Sequence, residues 1–358
     1  MFVAVIRWNL VDTPLNASLL PFFCRGVRSA APLDARRFPV PFLLKRRPTM
    51  MQPSRAPLNA NYAKWFKTAF AWRGTALPRC ADRILIATGF CLFVQSLIEL
   101  EVLDRYVPGF KSAGFDSFAH TILGSLIGFL LVVRMNTSNA RYWEGRSHWG
   151  VIVNTSRNLS RAAATYTNES DDLAGLIVGY AISLRNALRG SRDLSETTLF
   201  LPEHVLLVAE KFGNQPTAIA AGMSHWVARQ VTLGKLNPEL TRHFEQLISE
   251  LVSAQGGCEK IQKTPLPLAY VSLIKLLVLV YLASLPLVIC GKFGWFSPLI
   301  MATVALGMFG MEETSVEIED PFGFQPNCLD LEVITLTITR DTAQLAAYKP
   351  AYPPGVEE

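Results

Sequence analysis

The 358-residue chain is half hydrophobic, 18% charged and has a mean hydropathy of +0.25, too apolar for an average soluble domain and too short for a many-span transporter. Its net charge of +5 is unevenly placed: residues 1–60 hold nine Arg or Lys against Asp12 and Asp34, a net +7 that leaves −2 for the remainder. The basic character gives no reason to expect a nucleic-acid partner, and six scattered cysteines without a CxxC read as reduced thiols, which excludes a disulfide framework or a cysteine metal site.

Residues 1–60 are rich in Arg, Pro and Ala, poor in acids and without a long periodic pattern. An organelle transit peptide has that composition, and a disordered basic tail is the alternative. Residues 61–83 combine Trp65, Phe66 and Trp72 with Lys64, Lys67 and Arg73, a mixture suited to a membrane-interface helix. A first span is expected over residues 84–100.

The second span, residues 118–133, carries no Asp, Glu, Lys or Arg. As a helix it reaches roughly 24 Å, slightly short of a bilayer core of about 30 Å. Ser125, Phe129 and Val133 are spaced i, i+4, i+8 and share one stripe, which either packs like any membrane helix or lines a passage. Gly124 and Gly128 form a GxxxG pair beside it, a pattern that lets another backbone come close. Arg134 closes the apolar run, and an arginine- and tryptophan-rich helix follows directly, with Arg141, Trp143, Arg146, Trp149, Arg157 and Arg161.

Residues 134–267 read as a helical aqueous domain inserted between spans two and three. Apolar residues recur at helical spacing near 141–165, 171–190, 201–212, 217–235 and 237–260, with Gly and Pro breakers between them. The third span is residues 268–290, with Lys275 as its only charge and Pro286 as an expected kink. An intramembrane lysine is a functional candidate, although this one lies close enough to the span's start to snorkel. A fourth span covers 295–311 and closes at Glu312 and Glu313. Residues 312–358 form an acidic segment, an amphipathic stretch to about 348 and a Pro-rich tail. Basic residues crowd the loops on the side of the helical domain, so the positive-inside rule puts that domain and both termini on the cytoplasm-equivalent side.

Catalysis needs a convergent set of acids, bases, nucleophiles or a metal. The five histidines show no paired-ligand spacing, and there is no P-loop, GxGxxG or nucleophile elbow, so no enzyme is expected. Four spans make a poor pore by themselves, because a small bundle fills its own centre. A conducting subunit of this size implies a symmetric ring lined by one repeated helix.

Two blocks carry a resemblance. The run LLVVRMNTSNARYWEGRSHWGVIVNTSRNLSR after the second span, and TPLPLAYVSLIKLLVLVYLASLPLVI followed by GMEETSVEIEDPFGFQPN, resemble the signatures of the bestrophin family in its bacterial and chloroplast branch. The resemblance covers roughly residues 60–345. It implies an all-α membrane protein with four transmembrane helices per subunit and an inserted helical aqueous domain, assembled as a homopentameric channel with itself and the lipid bilayer as partners. It further implies a narrow apolar neck at Ser125, Phe129 and Val133, gated by dewetting, and a second constriction contributed by the aqueous domain, placed here at Met223 and Val227. The stretch with Glu317, Glu319 and Asp320 before Pro321 resembles the family's calcium clasp. Gln325 and Cys328 stand where clasp-bearing members have acids, so Glu317, Asp320 and Gln325 are expected to form a weak calcium site or none.

The function these features imply is an anion channel of a chloroplast, thylakoid membrane with stromal termini. Chloride is the permeant ion, with nitrate or bicarbonate as further small anions, and the flow adjusts membrane potential or inorganic carbon supply. A non-conducting membrane scaffold is the alternative. An anion/proton carrier would need titratable groups at mid-membrane, for which His120 and Lys275 are the candidates.

Overall fold

The computed structural model describes residues 62–69, 71, 74–102, 117–167 and 169–348. The expected transit segment over 1–60, Trp72 and Arg73, the loop at Pro108 and Gly109, and the tail beyond 348 lie outside the described residues. A short helix α1 (Tyr62–Ala69) precedes α2 (Leu77–Glu99), which carries Pro78 in its first turn, where the missing N–H costs nothing. Helix α3 (Ser117–Tyr166) runs 50 residues. Then come α4 (Ser170–Leu188), a 3-10 turn (Ser195–Leu199), α5 (Glu203–Lys211), α6 (Gln215–Thr232) and α7 (Thr241–Lys263). The chain returns through α8 (Leu268–Phe293), turns at Gly294 with φ +54°, and continues as α9 (Ser297–Glu319) and α10 (Leu331–Ala346). Among the described residues there is no strand.

Local chemistry explains the helix starts. Asn214 accepts a hydrogen bond from Thr217 N at 3.4 Å to cap α6, and Asp330 accepts one from Val333 N at 3.0 Å to cap α10. Asp171 and Asp172 occupy the first turn of α4, where the helix dipole favours negative charge.

Two cores result, and α3 belongs to both. In the apolar layer, Ile127 and Leu131 pack with Cys91 and Ile98 of α2, Val278 and Leu282 of α8, and Met301 and Ala305 of α9. In the helical domain, Trp149, Ile152 and Leu159 pack with residues of α4, α6 and α7. Around the first core, large apolar side chains point outward, with Leu85 71%, Leu279 61% and Leu299 67% exposed. Such a belt is stable only against lipid or another apolar surface. Among the described residues, three stretches are long and apolar enough to cross a membrane: Leu77–Glu99, Ser117–Tyr166 and Leu268–Glu319, the last containing both α8 and α9.

Three of the landmarks lie inside continuous helices. The boundary at 133/134 falls within α3, where Arg134 turns inward to a partner. Helix α9 continues past Glu312 to Glu319, and α8 contains Pro286. The GxxxG pair is not a backbone contact within the subunit. A Cβ on Gly124 would lie 2.8 Å from the Tyr281 hydroxyl, so this glycine admits a side chain, while Gly128 faces open space.

The segment after α9 is clipped onto the domain. Phe322 is fully buried, worth about 1.5–3 kcal/mol of apolar burial, and it sits against Gly145 of α3, where a Cβ would come within 3.1 Å of its ring. Arg189 at the end of α4 donates to Glu332 Oε2 at 3.0 Å, and its guanidinium lies 4.6 Å from the centre of the Phe324 ring.

Candidate functional site

A helix turns 100° per residue, so Ser125, Phe129 and Val133 fall within about 40° of one line on α3. All three are exposed in the single chain, Phe129 to 65%. The same line continues past the apolar layer through Asn136, Trp143, Ser147, Asn154, Asn158 and Arg161, each of them exposed. The opposite side, from Ile127 through Trp149 and Ile152 to Leu159, is buried. One side of a 50-residue helix is thus left uncovered along its length, first apolar and then polar. The Ser125 hydroxyl is satisfied within the helix by donating to Thr121 O at 2.8 Å.

Where that helix leaves the apolar layer, four helices meet in a charge cluster. Glu312 of α9, 3% exposed, receives Arg134 Nη1 of α3 at 3.0 Å, Arg83 Nη1 of α2 at 3.3 Å and Lys275 Nζ of α8 at 3.5 Å. Arg83 also reaches Glu313 Oε2 at 2.6 Å, and Arg134 Nη2 lies 3.7 Å from Glu319. Removing these charges from water is expensive, and the geometry offsets the cost because Glu312, the most buried carboxylate, faces three cations. Arg134 Nε finds no acceptor among the described residues. Two turns on, Arg141 donates to the carbonyls of Ile261, Thr264 and Glu319 and ties the end of α7 to α9.

Lys275 is accounted for by this cluster; its side chain is half-exposed and paired. The sequence pattern points to Lys275 as a candidate but treats Arg134 and Glu312 only as span ends. The available signal was that both charges abut apolar runs on the same side of the layer, which makes them natural partners.

The expected clasp residues have other commitments. Arg79 Nη1 lies 3.4 Å from Glu317 Oε2, an ion pair without hydrogen-bond geometry, and Arg79 also donates to Gln325. Glu319 Oε1 accepts from Leu266 N at 3.1 Å, and Asp320 Oδ1 accepts from Phe322 N at 3.2 Å. Calcium needs six to eight oxygens, whereas these carboxylates face arginines and backbone N–H groups. Cys328, which donates to Asp320 O at 3.1 Å, adds a soft sulfur. Among the described residues no group of three His, Cys, Asp or Glu could hold a metal ion. Glu317, Asp320 and Gln325 therefore do not fit a calcium cradle.

Met223 and Val227, expected at a second constriction, lie inside the subunit. Both side chains are fully buried in the helical-domain core, because the inward face of α6 is the face that carries its large apolar residues. Neither reaches a surface that could narrow a passage.

Comparison with known proteins matches this architecture to one family. The profile of the bacterial/fungal bestrophin proteins matches residues 58–344. The voltage-dependent anion channel-forming protein of Nostoc sp. is 31% identical over 299 residues, covering 80% of this chain and 93% of that protein. Its counterpart from Synechocystis sp. is 31% identical over 306 residues, covering 83% and 95%. Among solved structures, a bacterial bestrophin homolog from Klebsiella pneumoniae superposes with a TM-score of 0.69 at 21% identity, covering 75% of this chain and 99% of that one. With the family profile matched over residues 58–344, most of its length, the chain belongs to the bacterial/fungal bestrophin family.

Proposed function

We propose that the chain is one subunit of a homopentameric anion channel, with α3 repeated around the axis and its uncovered face lining the passage. The observation that carries this reading is the stripe itself. An exposed apolar face at Ser125, Phe129 and Val133, continuous with an exposed polar face through Asn136 to Arg161, is costly for a lone subunit and suited to a dry neck opening into a wet vestibule. Relatives of 31% identity carry the name of voltage-dependent anion channel-forming proteins, which supports anions as the cargo. Arg161 adds a positive group to the polar part of the stripe, which attracts anions and repels cations.

The finer reading places the channel in a chloroplast thylakoid membrane with stromal termini, passing chloride and also nitrate or bicarbonate, on the support of the basic residues 1–60. Reconstitution into a planar bilayer tests the core of it. Unitary currents whose reversal potential follows the chloride gradient are expected. A silent bilayer containing correctly assembled oligomer overturns the channel and favours a non-conducting scaffold. A fluorescent fusion tests the location: plastid signal that is lost on deleting residues 1–55 is expected, and secretory-pathway signal overturns it.

A further inference from the structure

At the end of the apolar layer away from the helical domain, α3 and α8 part to leave a cavity of about 280 Å³. Its walls are of two kinds. Ser117, His120 and Thr121 of α3 and Lys292 of α8 supply an ammonium, an imidazole and hydroxyls, while Leu285, Val288 and Phe293 supply an apolar side. The Lys292 ammonium donates to Ser117 Oγ at 3.1 Å, and His120 Nε2 lies 3.0 Å from Ser284 Oγ. Tyr281, admitted against α3 by the missing Cβ of Gly124, stacks its ring 5.7 Å from that of His120 and closes the cavity on that side.

Placement decides what this cavity can take. His120 is nine residues before Phe129, so it sits about 180° around the helix from the neck line. Ser117 lies about 120° and Thr121 about 80° from the same line, so the cavity sits on the back and flank of α3 toward α8 and not on the neck line, a clause that rests on the neck reading. It also lies at the ends of both helices, at the level where lysine heads reach the membrane surface. A bare hydrated anion gains nothing from the apolar wall, whereas an amphiphile uses both sides. We propose that this cavity binds a membrane lipid bearing a phosphate headgroup, with Lys292, Ser117 and Thr121 at the phosphate oxygens and the acyl chain against Leu285, Val288 and Phe293.

Native mass spectrometry of the assembled protein from mixed phosphatidylglycerol–phosphatidylcholine bilayers tests this and does not depend on conduction. Wild type is expected to retain phosphatidylglycerol in excess, Lys292→Gln to cut that excess by about fivefold, the effect of one lysine near a membrane surface, and Lys292→Arg to keep it. Lys260→Gln, at an exposed site on α7, is expected to change nothing. Equal retention by wild type and Lys292→Gln overturns the proposal. So does full displacement by glycerol 3-phosphate at equal concentration, which would mean the site reads a free phosphate and not a lipid. If Lys292→Gln does not assemble, the Ser117→Ala, Thr121→Ala pair replaces it, with loss of the excess expected and its persistence overturning the assignment.

Discussion

Arg134 Nη1 lies 3.0 Å from Glu312 Oε1, with both side chains at most 4% exposed. The pair joins α3, proposed to line the passage, to α9, directly after Val133. A buried ion pair is weak evidence of net stability, but breaking one strands a charge. Glu312→Ala is therefore expected to destabilise by about 3–5 kcal/mol, because it strands the buried Arg134, and Arg134→Ala by less, because Glu312 keeps Arg83 and Lys275 as partners. The double change Arg134→Met, Glu312→Leu should recover most of the loss. Thermal unfolding in detergent measures all three, and a double variant no better than Glu312→Ala argues against this account.

The neck face and the packed face of α3 give opposite expectations for neighbouring residues. Phe129→Ala, at an exposed site, should raise unitary conductance and flatten selectivity among anions of different size, with little change in stability. Ile127→Ala, at a site of zero exposure, should cost roughly 2–5 kcal/mol and leave permeation near wild type. Single-channel recording beside unfolding curves checks both. The reverse pattern would place the lining on another face.

The two glycines of the GxxxG pair should behave differently. Gly124→Val forces the Tyr281 hydroxyl away from a Cβ at 2.8 Å and is expected to destabilise by about 1–3 kcal/mol through overpacking. Gly128→Ala meets nothing in the subunit and should stabilise by about 0.5–1 kcal/mol through helix propensity. If Gly128→Ala instead breaks the oligomer, as seen by size-exclusion chromatography, a neighbouring copy packs there.

Acid should loosen the clip between α4 and α10. The Arg189 guanidinium beside Glu332 holds its carboxyl below the usual carboxylate range, against the opposing effect of partial burial. A carboxyl whose pKa is lowered on folding contributes stability above its unfolded value of about 4.3, and that contribution fades as pH falls through the folded value. Glu332→Gln should thus lower stability at pH 7 by under about 1 kcal/mol, since the Glu332 side chain is 40% exposed and partly screened. The gap to wild type should close as the pH drops below about 4. A constant gap from pH 7 to pH 3 would assign the effect to packing instead.

Chelation provides a fourth kind of test. With Glu317 and Gln325 facing Arg79, current through the reconstituted protein is expected to be the same in calcium and in a calcium chelator. A steep, saturable dependence on sub-micromolar calcium would require the Arg79 contacts to give way to metal.

Periodicity made the helices of the aqueous domain legible: segments expected near 171–190, 201–212 and 237–260 correspond to Ser170–Leu188, Glu203–Lys211 and Thr241–Lys263. It is silent on what a single charge at the end of an apolar run will face. Arg134 is tolerated in the middle of a helix because Glu312 neutralises it from 178 residues away, and no local pattern carries that information. The clasp-like stretch was open to two readings for a similar reason, since carboxylates on a turn look alike whether they face a metal or an arginine. Met223 and Val227 show the opposite limit. Large apolar residues at helical spacing mark a core face, and only the packing of α6 tells which residues it turns toward solvent.

The unbroken run of α3 has a mechanical consequence. A helix of 50 residues is a shaft roughly 75 Å long, and with no joint at residue 133 its wet and dry halves turn together. A rotation of only about 40° carries Phe129 off the line and brings Ser125 or Val133 onto it, replacing an aromatic ring by a smaller group. If Phe129 lines the passage as proposed, torque on the aqueous domain reaches it through an unbroken helix, and the Arg134–Glu312 contact is the nearest restraint on that rotation.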